Sequence, residues 1–218
     1  MQSYKNIIVD RKDAATKLKD VIPMNKLKEE EWDIVAVSRG GLEVAACIKG
    51  KLPNKLEILF LEAIMAPNNA ECEVARVSET EEIVINEQLV SAFEIQYDYI
   101  YGEAHRKHEE NILSRIYQYR KGKPFPSVKD RIVLLVDEGS ESGSKLMTAL
   151  KTVLVQGPKA VYIAVPVLPS DVLEALEPFV DDIFFLHDIG DYVETALYYE
   201  DLEPINDEKI EKILEELK

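Results

Sequence analysis

Cysteine is nearly absent from this 218-residue chain, which has only Cys47 and Cys72. Two thiols build no disulfide framework and supply too few ligands for a tetrahedral zinc site; they read as buried thiols of a reducing compartment. Long hydrophobic runs are missing as well. Apolar runs such as those at 132–136 and 183–186 fall far short of the roughly 20 apolar residues that cross a bilayer. The opening MQSYKNIIVDRKD carries charges where a secretion leader needs an apolar stretch, so a soluble, cytoplasmic protein with no membrane partner is expected. Glycine (9) and proline (10) are too sparse for a collagen-like chain. Positive charge is in deficit, with 26 Lys and Arg against 41 Asp and Glu, a net charge of −15. A surface that acidic repels a phosphate backbone, so no nucleic-acid partner is expected.

What is present is a core and an alternating pattern. Hydrophobic residues make up 46% of the chain, enough to bury a proper interior. Helical spacing of apolar residues runs over 10–21, with Pro23 behind it, and short apolar runs at 33–37 and 56–61 read as strands. Alternation at 73–78 and 82–85 predicts a hairpin turning near 79–81. A long charged stretch, 88–119, has a mostly helical pattern, with a break expected around Tyr97–Tyr101 and Gly102. The second half predicts a strand at 131–136, a helix at 145–156 stopped by Gly157-Pro158, a strand at 160–166, a helix at 171–176, a strand at 182–186 and a closing helix at 207–217. Strands alternating with helices point to an α/β fold with a central, mostly parallel sheet flanked by helices. One domain, 1–218, is expected, with a small hood drawn from about 70–122 and the C-terminal segment.

Two loops follow predicted strands, where an open parallel sheet binds its ligands. The stronger ends the strand at 131–136. Two carboxylates, Asp137 and Glu138, precede Gly139, Ser140, Glu141, Ser142, Gly143 and Ser144, and a helix opens there. Amides and hydroxyls at a helix N-terminus can cradle a phosphate, and the carboxylates beside them can hold sugar hydroxyls directly or through Mg²⁺. The P-loop, the dinucleotide fingerprint and the nucleophile elbow all fail on spacing; Glu141 stands at the elbow's nucleophile position. The second loop is Ser38-Arg39-Gly40-Gly41 after the strand at 33–37, and a helix at 42–49 follows it.

These features resemble the phosphoribosyltransferases of the type I fold, whose signature is a strand, two acidic residues and a small-residue loop. More narrowly, the chain resembles a bacterial subfamily, with landmarks in order: Asp10-Arg11-Lys12-Asp13-Ala14, Ser38-Arg39-Gly40-Gly41, Ala66-Pro67-Asn68-Asn69-Ala70-Glu71, the acidic pair, Ala164-Val165-Pro166-Val167 and Tyr198-Tyr199-Glu200-Asp201. The resemblance implies transfer of a phosphoribosyl group from phosphoribosyl pyrophosphate to a base, such as a purine, with release of pyrophosphate. It implies Asp137 and Glu138 on the ribose hydroxyls, and Gly139, Ser140, Ser142, Gly143 and Ser144 around the 5′-phosphate. Ser38, Arg39, Gly40 and Gly41 would hold pyrophosphate, and Glu141 would act as general acid/base. Mg²⁺ would arrive with the donor, without a protein-only metal site. The alternative is a non-catalytic nucleotide or phosphosugar sensor that kept the fold. The chain departs from the subfamily at Glu62-Ala63, where an Arg-Lys pair is typical, at Ala70 for a proline, and at Lys145 for a threonine.

The remaining chemistry-bearing residues have plainer readings. His105 and His108 sit three apart near Glu109, and a solvated helix face is commoner there than a metal site. His187 ends a strand and reads as a structural histidine. The tyrosines at 97, 99, 101, 117 and 119 read as core or dimer contact, which keeps a homodimer among the expectations. Trp32 reads as packing.

Overall fold

The computed structural model describes residues 7–216. The five-stranded sheet has the order β2-β1-β6-β7-β8, with every neighbouring pair parallel. Its strands are β1 (Asp33–Ala36), β2 (Leu56–Ile58), β6 (Ile132–Val136), β7 (Ala160–Pro169) and β8 (Asp182–Ile189). Period-2 alternation sorts the central strands onto two faces. Ile34, Ala36, Leu134 and Val136 point into one buried cluster, and Val35, Val37, Val133 and Leu135 into the other. The first face is covered by α1 (Arg11–Val21) and α3 (Arg39–Lys49), the second by α7 (Ser144–Leu154) and α8 (Ser170–Leu176). Strands buried on both faces read as unbroken apolar runs, as β6 does.

The chain leaves β1 for β2 on one side and returns in β6 on the other. Sheet order therefore reverses between β1 and β6, and a crevice opens at their carboxyl ends. Both candidate loops lie at that switch point.

A second, antiparallel sheet of three strands stands beside these ends: β3 (Leu61–Ala66), β4 (Asn69–Ser78) and β5 (Ile83–Ile85). The hairpin turn at 79–81 is present, with Glu81 at φ 64°. β3 was not anticipated. The run at 56–61 divides, its first half joining the large sheet and its last residue starting β3, because Leu59 and Phe60 carry the chain from one layer to the other. The long helical stretch is α4 (Glu87–Ala92), α5 (Tyr97–Lys107), a π-type turn (His108–Ile112) and α6 (Leu113–Arg120). The break falls before Tyr97; Gly102 lies inside α5, where a Cβ would meet nothing. Helix α2 (Met24–Glu29) precedes β1, and α9 (Asp207–Glu216) lies on α3.

Trp32 is 1% exposed and stacks on Tyr162, with ring centroids 4.3 Å apart. Among the described residues, no helix is long and apolar enough to cross a membrane.

Candidate functional site

The first turn of α3 builds one wall of the crevice. Ser38 is its N-cap: the hydroxyl accepts from the Gly41 amide at 2.8 Å and donates to Asp137 Oδ1 at 2.5 Å. One side chain thus ties the end of β1 to the end of β6. Gly40 and Gly41 belong to this first turn and not to a free loop. A Cβ at Gly41 would lie 2.6 Å from the Val136 carbonyl oxygen, and one at Gly40 would collide with the Glu138 carboxylate. The glycines therefore let the helix approach strand end and acid closely. Arg39 pairs with Asp207 of α9 at 2.8 Å.

Asp137 is fully buried. Its Oδ1 accepts from Ser38 and from the Glu138 amide (2.9 Å), and its Oδ2 lies 2.9 Å from the Lys145 ammonium. This carboxylate organises the crevice from inside. Burial alone would lower the Lys145 pKa; the Asp137 carboxylate more than offsets that and holds it above its ordinary value. Glu138 is half-buried. Its carboxylate meets Arg11 Nε at 2.5 Å, and its carbonyl accepts from the Tyr199 hydroxyl at 2.6 Å. Burial, and then the charge of Asp137, push the Glu138 carboxyl up, while Arg11 pulls it down; the net direction is up.

The loop after Glu138 closes on α7. Gly143 takes φ 71°, the left-handed region open to glycine, as N-cap of α7, and Val172 fills the space beside it. A Cβ at Gly139 would meet the Thr195 methyl at 2.3 Å. Ser140 is 1% exposed and its hydroxyl has no hydrogen-bond partner. Glu141 and Ser142 are exposed, and Glu141 Oε1 accepts from the Thr195 amide at 3.2 Å. Ser144 donates to Glu73 and accepts from Arg76 Nε at 3.2 Å. A cavity of about 120 Å³ lies here, walled by Ser140, Ser142, Lys145, Arg76, Glu141 and Thr195, with Glu73 at its edge.

A neighbouring cavity of about 220 Å³ shares Arg76 and Lys145 and adds Ser38, Arg39 and Arg115. Four cations thus border the two cavities in a chain of charge −15. Arg76, Arg115 and Thr195 were not singled out from the sequence, and Arg11 appears there only inside a landmark, with no role at the site. Arg76 did leave a trace there, as the only Lys or Arg between Lys55 and Arg106. Arg115 left none. It arrives from α6 and pairs with Glu62 at 2.5 Å, so a cation stands opposite the position where the subfamily pattern has its own.

The other candidates lie elsewhere. His105 pairs with Glu109 at 3.4 Å, and His108 Nε2 lies 3.1 Å from the Glu79 carbonyl. No cluster of three metal-ligating side chains occurs among the described residues. His187 is half-buried, and burial lowers its pKa. Tyr97, Tyr101 and Tyr117 are exposed, Tyr99 donates to the Met65 carbonyl and Tyr119 to Asp207. Cys47 and Cys72 are free and half-buried.

A parallel sheet with an acidic strand end, a loop of small residues and a helix N-terminus at the switch point defines a class of fold. The fold is phosphoribosyltransferase-like: a five-stranded parallel sheet flanked by helices, with a small antiparallel sheet beside it. A crystal structure of TT1426 from Thermus thermophilus superposes with a TM-score of 0.78 at 28% identity, covering 96% of this chain and 98% of that one. Two curated sequences from strains of Mycobacterium tuberculosis, "Putative phosphoribosyl transferase Rv0571c" and "Putative phosphoribosyl transferase MT0597", are each 23% identical over 177 residues. Those residues are 81% of this chain but 39% of the relatives' length. No family model matches the chain.

Proposed function

We propose that the crevice binds phosphoribosyl pyrophosphate and transfers its phosphoribosyl group to a base, releasing pyrophosphate. The observation that carries this is Ser140: a hydroxyl 1% exposed and without a partner, on the wall of a small cavity with Lys145 and Arg76, at the N-terminus of α7. An unpaired buried hydroxyl costs roughly 1–3 kcal/mol, and an anion seated on the loop amides satisfies it. In this reading the 5′-phosphate sits over Gly139, Ser140, Ser142, Gly143 and Ser144. Pyrophosphate occupies the cationic cavity beside Ser38, Arg39, Gly40 and Gly41, with Arg76 and Arg115 added to that set.

Within the acidic pair the two roles separate. Both Asp137 oxygens are engaged inside the protein, so Asp137 holds Lys145 and Ser38 in place, and Glu138 is the acid that reaches the ribose hydroxyls. Mg²⁺ fits as a companion of the donor, held by its phosphates, water and Glu138, since it commonly binds through one or two carboxylates and substrate phosphates. It would offset charge on the leaving pyrophosphate. Glu141 lies at the loop's outer edge and must release the Thr195 amide before it exchanges a proton with an acceptor.

That same bond favours a second reading, a nucleotide sensor in which Glu141 only fastens the loop. Calorimetric titration of the chain with phosphoribosyl pyrophosphate and Mg²⁺, beside a panel of nucleoside monophosphates, separates the two. Donor binding with turnover supports transfer, monophosphate binding alone supports the sensor, and no binding of either overturns both. In the transfer reading Glu141→Gln lowers turnover by about 10²–10⁴-fold with donor affinity nearly unchanged.

A further inference from the structure

On the outer side of the phosphate-type loop lies a cavity of about 570 Å³, larger than the two beside the loop, between the small sheet and the helices α7 and α8. Its walls are aliphatic: Val74, Ile85 and Leu89 on one side, Met147, Val172 and Leu176 on the other. Among the described residues that line it there is no Lys, Arg, His or aromatic ring. Its charged groups are Glu71, Glu73 and Glu141, and Glu73, Glu141 and Ser142 also wall the small cavity over the loop. Glu73 is already paired with Arg76 at 2.5 Å, and Glu71 is exposed.

Volume and lining are those of a small-molecule site, mostly apolar with a few polar groups that choose the ligand. Without a ring to stack on, the cleft gives a planar base no particular hold. Its acidic rim repels a carboxylate and attracts an ammonium. We infer that the cleft is a separate binding site for an amine with a saturated, apolar body, and that its occupation tightens anion binding on the neighbouring loop. The coupling follows from the shared wall: Glu73 is balanced by Arg76, and a cation beside Glu141 offsets the other carboxylate that borders the anion cavity. By linkage, anion binding tightens the amine by the same factor. The coupling rests on the loop's anion reading; the amine site does not.

The test is a titration of the full chain with n-alkylamines from butylamine to octylamine, with the matching alkyl carboxylates and with adenine. Each is run with and without inorganic phosphate. Amines should bind without phosphate, about fourfold tighter per added methylene, and at least tenfold tighter than carboxylates of equal length. Saturating octylamine should tighten phosphate about fivefold. Ala175→Trp, an exposed position on the cleft wall, should abolish amine binding and leave phosphate binding in place. No amine binding, equal binding of amines and carboxylates, stronger binding of adenine, or indifference to Ala175→Trp overturns the site. A wild-type dimer that Ala175→Trp converts to monomer makes the cleft an interface between copies and also overturns it. Amine binding without the effect on phosphate overturns the coupling. Phosphate that fails to bind at all refutes the anion reading and the coupling while the amine titration still decides the site.

Discussion

Glu138 is the residue on which the charge balance of the crevice turns. Its folded carboxyl titrates above the ordinary 4.5, chiefly through burial. Between 4.5 and that higher value the folded state holds the proton that the unfolded chain has released, so Glu138's contribution to stability falls as pH rises through this window. Carboxyl ¹³C shifts followed by NMR should place Glu138 above 4.5, and Arg11→Met should move it further up by removing the cation that lowers it. A midpoint at or below 4.5 in the wild type would contradict the electrostatics described. The two glycines of α3 make a paired test. At Gly41 a Cβ meets backbone, the Val136 carbonyl, which cannot move aside, whereas at Gly40 it meets the end of a side chain. Gly41→Ala should cost about 1–3 kcal/mol, a fall of several degrees in Tm. Gly40→Ala should fold with a smaller loss and displace Glu138 from Arg11, seen as weakened ribose-phosphate binding. Equal thermal effects of the two changes would argue against this geometry.

Among the elements, the junction of the small sheet with α6 holds a buried ion pair. The Glu79 side chain is 1% exposed and that of Arg120 is 9%. Glu79 also accepts from the Phe60 amide at 3.0 Å, and the guanidinium lies 5.0 Å from the Phe60 ring. Burial raises the Glu79 carboxyl, and Arg120 works against that rise. Breaking a buried pair strands a charge, so Arg120→Met should cost about 3–5 kcal/mol, and adding Glu79→Gln should recover part of it. Urea unfolding of both variants checks this; a double variant no more stable than the single one would show that the pair is not what Arg120 supplies. The subdivision of the 88–119 stretch belongs to this scale too. Its helical composition was legible and so was a break near Tyr97, which falls just before that residue and not within 97–102; the π-type turn was not. That turn puts Asn111 within 2.9 Å of Glu62 on β3, a contact set by a distant strand.

Across the whole molecule, stability should be graded. The central strands β1 and β6 are buried along their length, whereas β5 is three half-buried residues at a sheet edge. The small sheet reaches α7 through polar contacts such as Lys151 to the Ile83 carbonyl at 2.8 Å and Arg76 to Ser144. Native-state hydrogen exchange should therefore release β5 first and β6 last, with β4 between them. Uniform protection over both sheets would refute that order. The net charge of −15 acts at this scale as a background that repels anions, and the four cations at the crevice are each paired with a carboxylate.

The fold class and the loop were legible in the sequence because both are local. Period-2 and period-3.6 patterns report which face of an element is buried, and a strand, two acids and small residues before a helix mark a strand-to-helix turn by spacing. Ser140 and its neighbours could be placed on that turn for that reason. What only the tertiary structure decided is everything that depends on a partner far along the chain. Asp137 and Glu138 are adjacent and chemically alike, yet one is enclosed by Ser38 and Lys145 while the other faces Arg11 from the N-terminal helix. Arg39 sits in a motif and Arg115 in none, yet both border the same cavity, one paired with Asp207 and the other with Glu62. A side chain's charge is written in the sequence; which opposite charge it meets, and how much water remains between them, is settled by packing, and these set its role at the site.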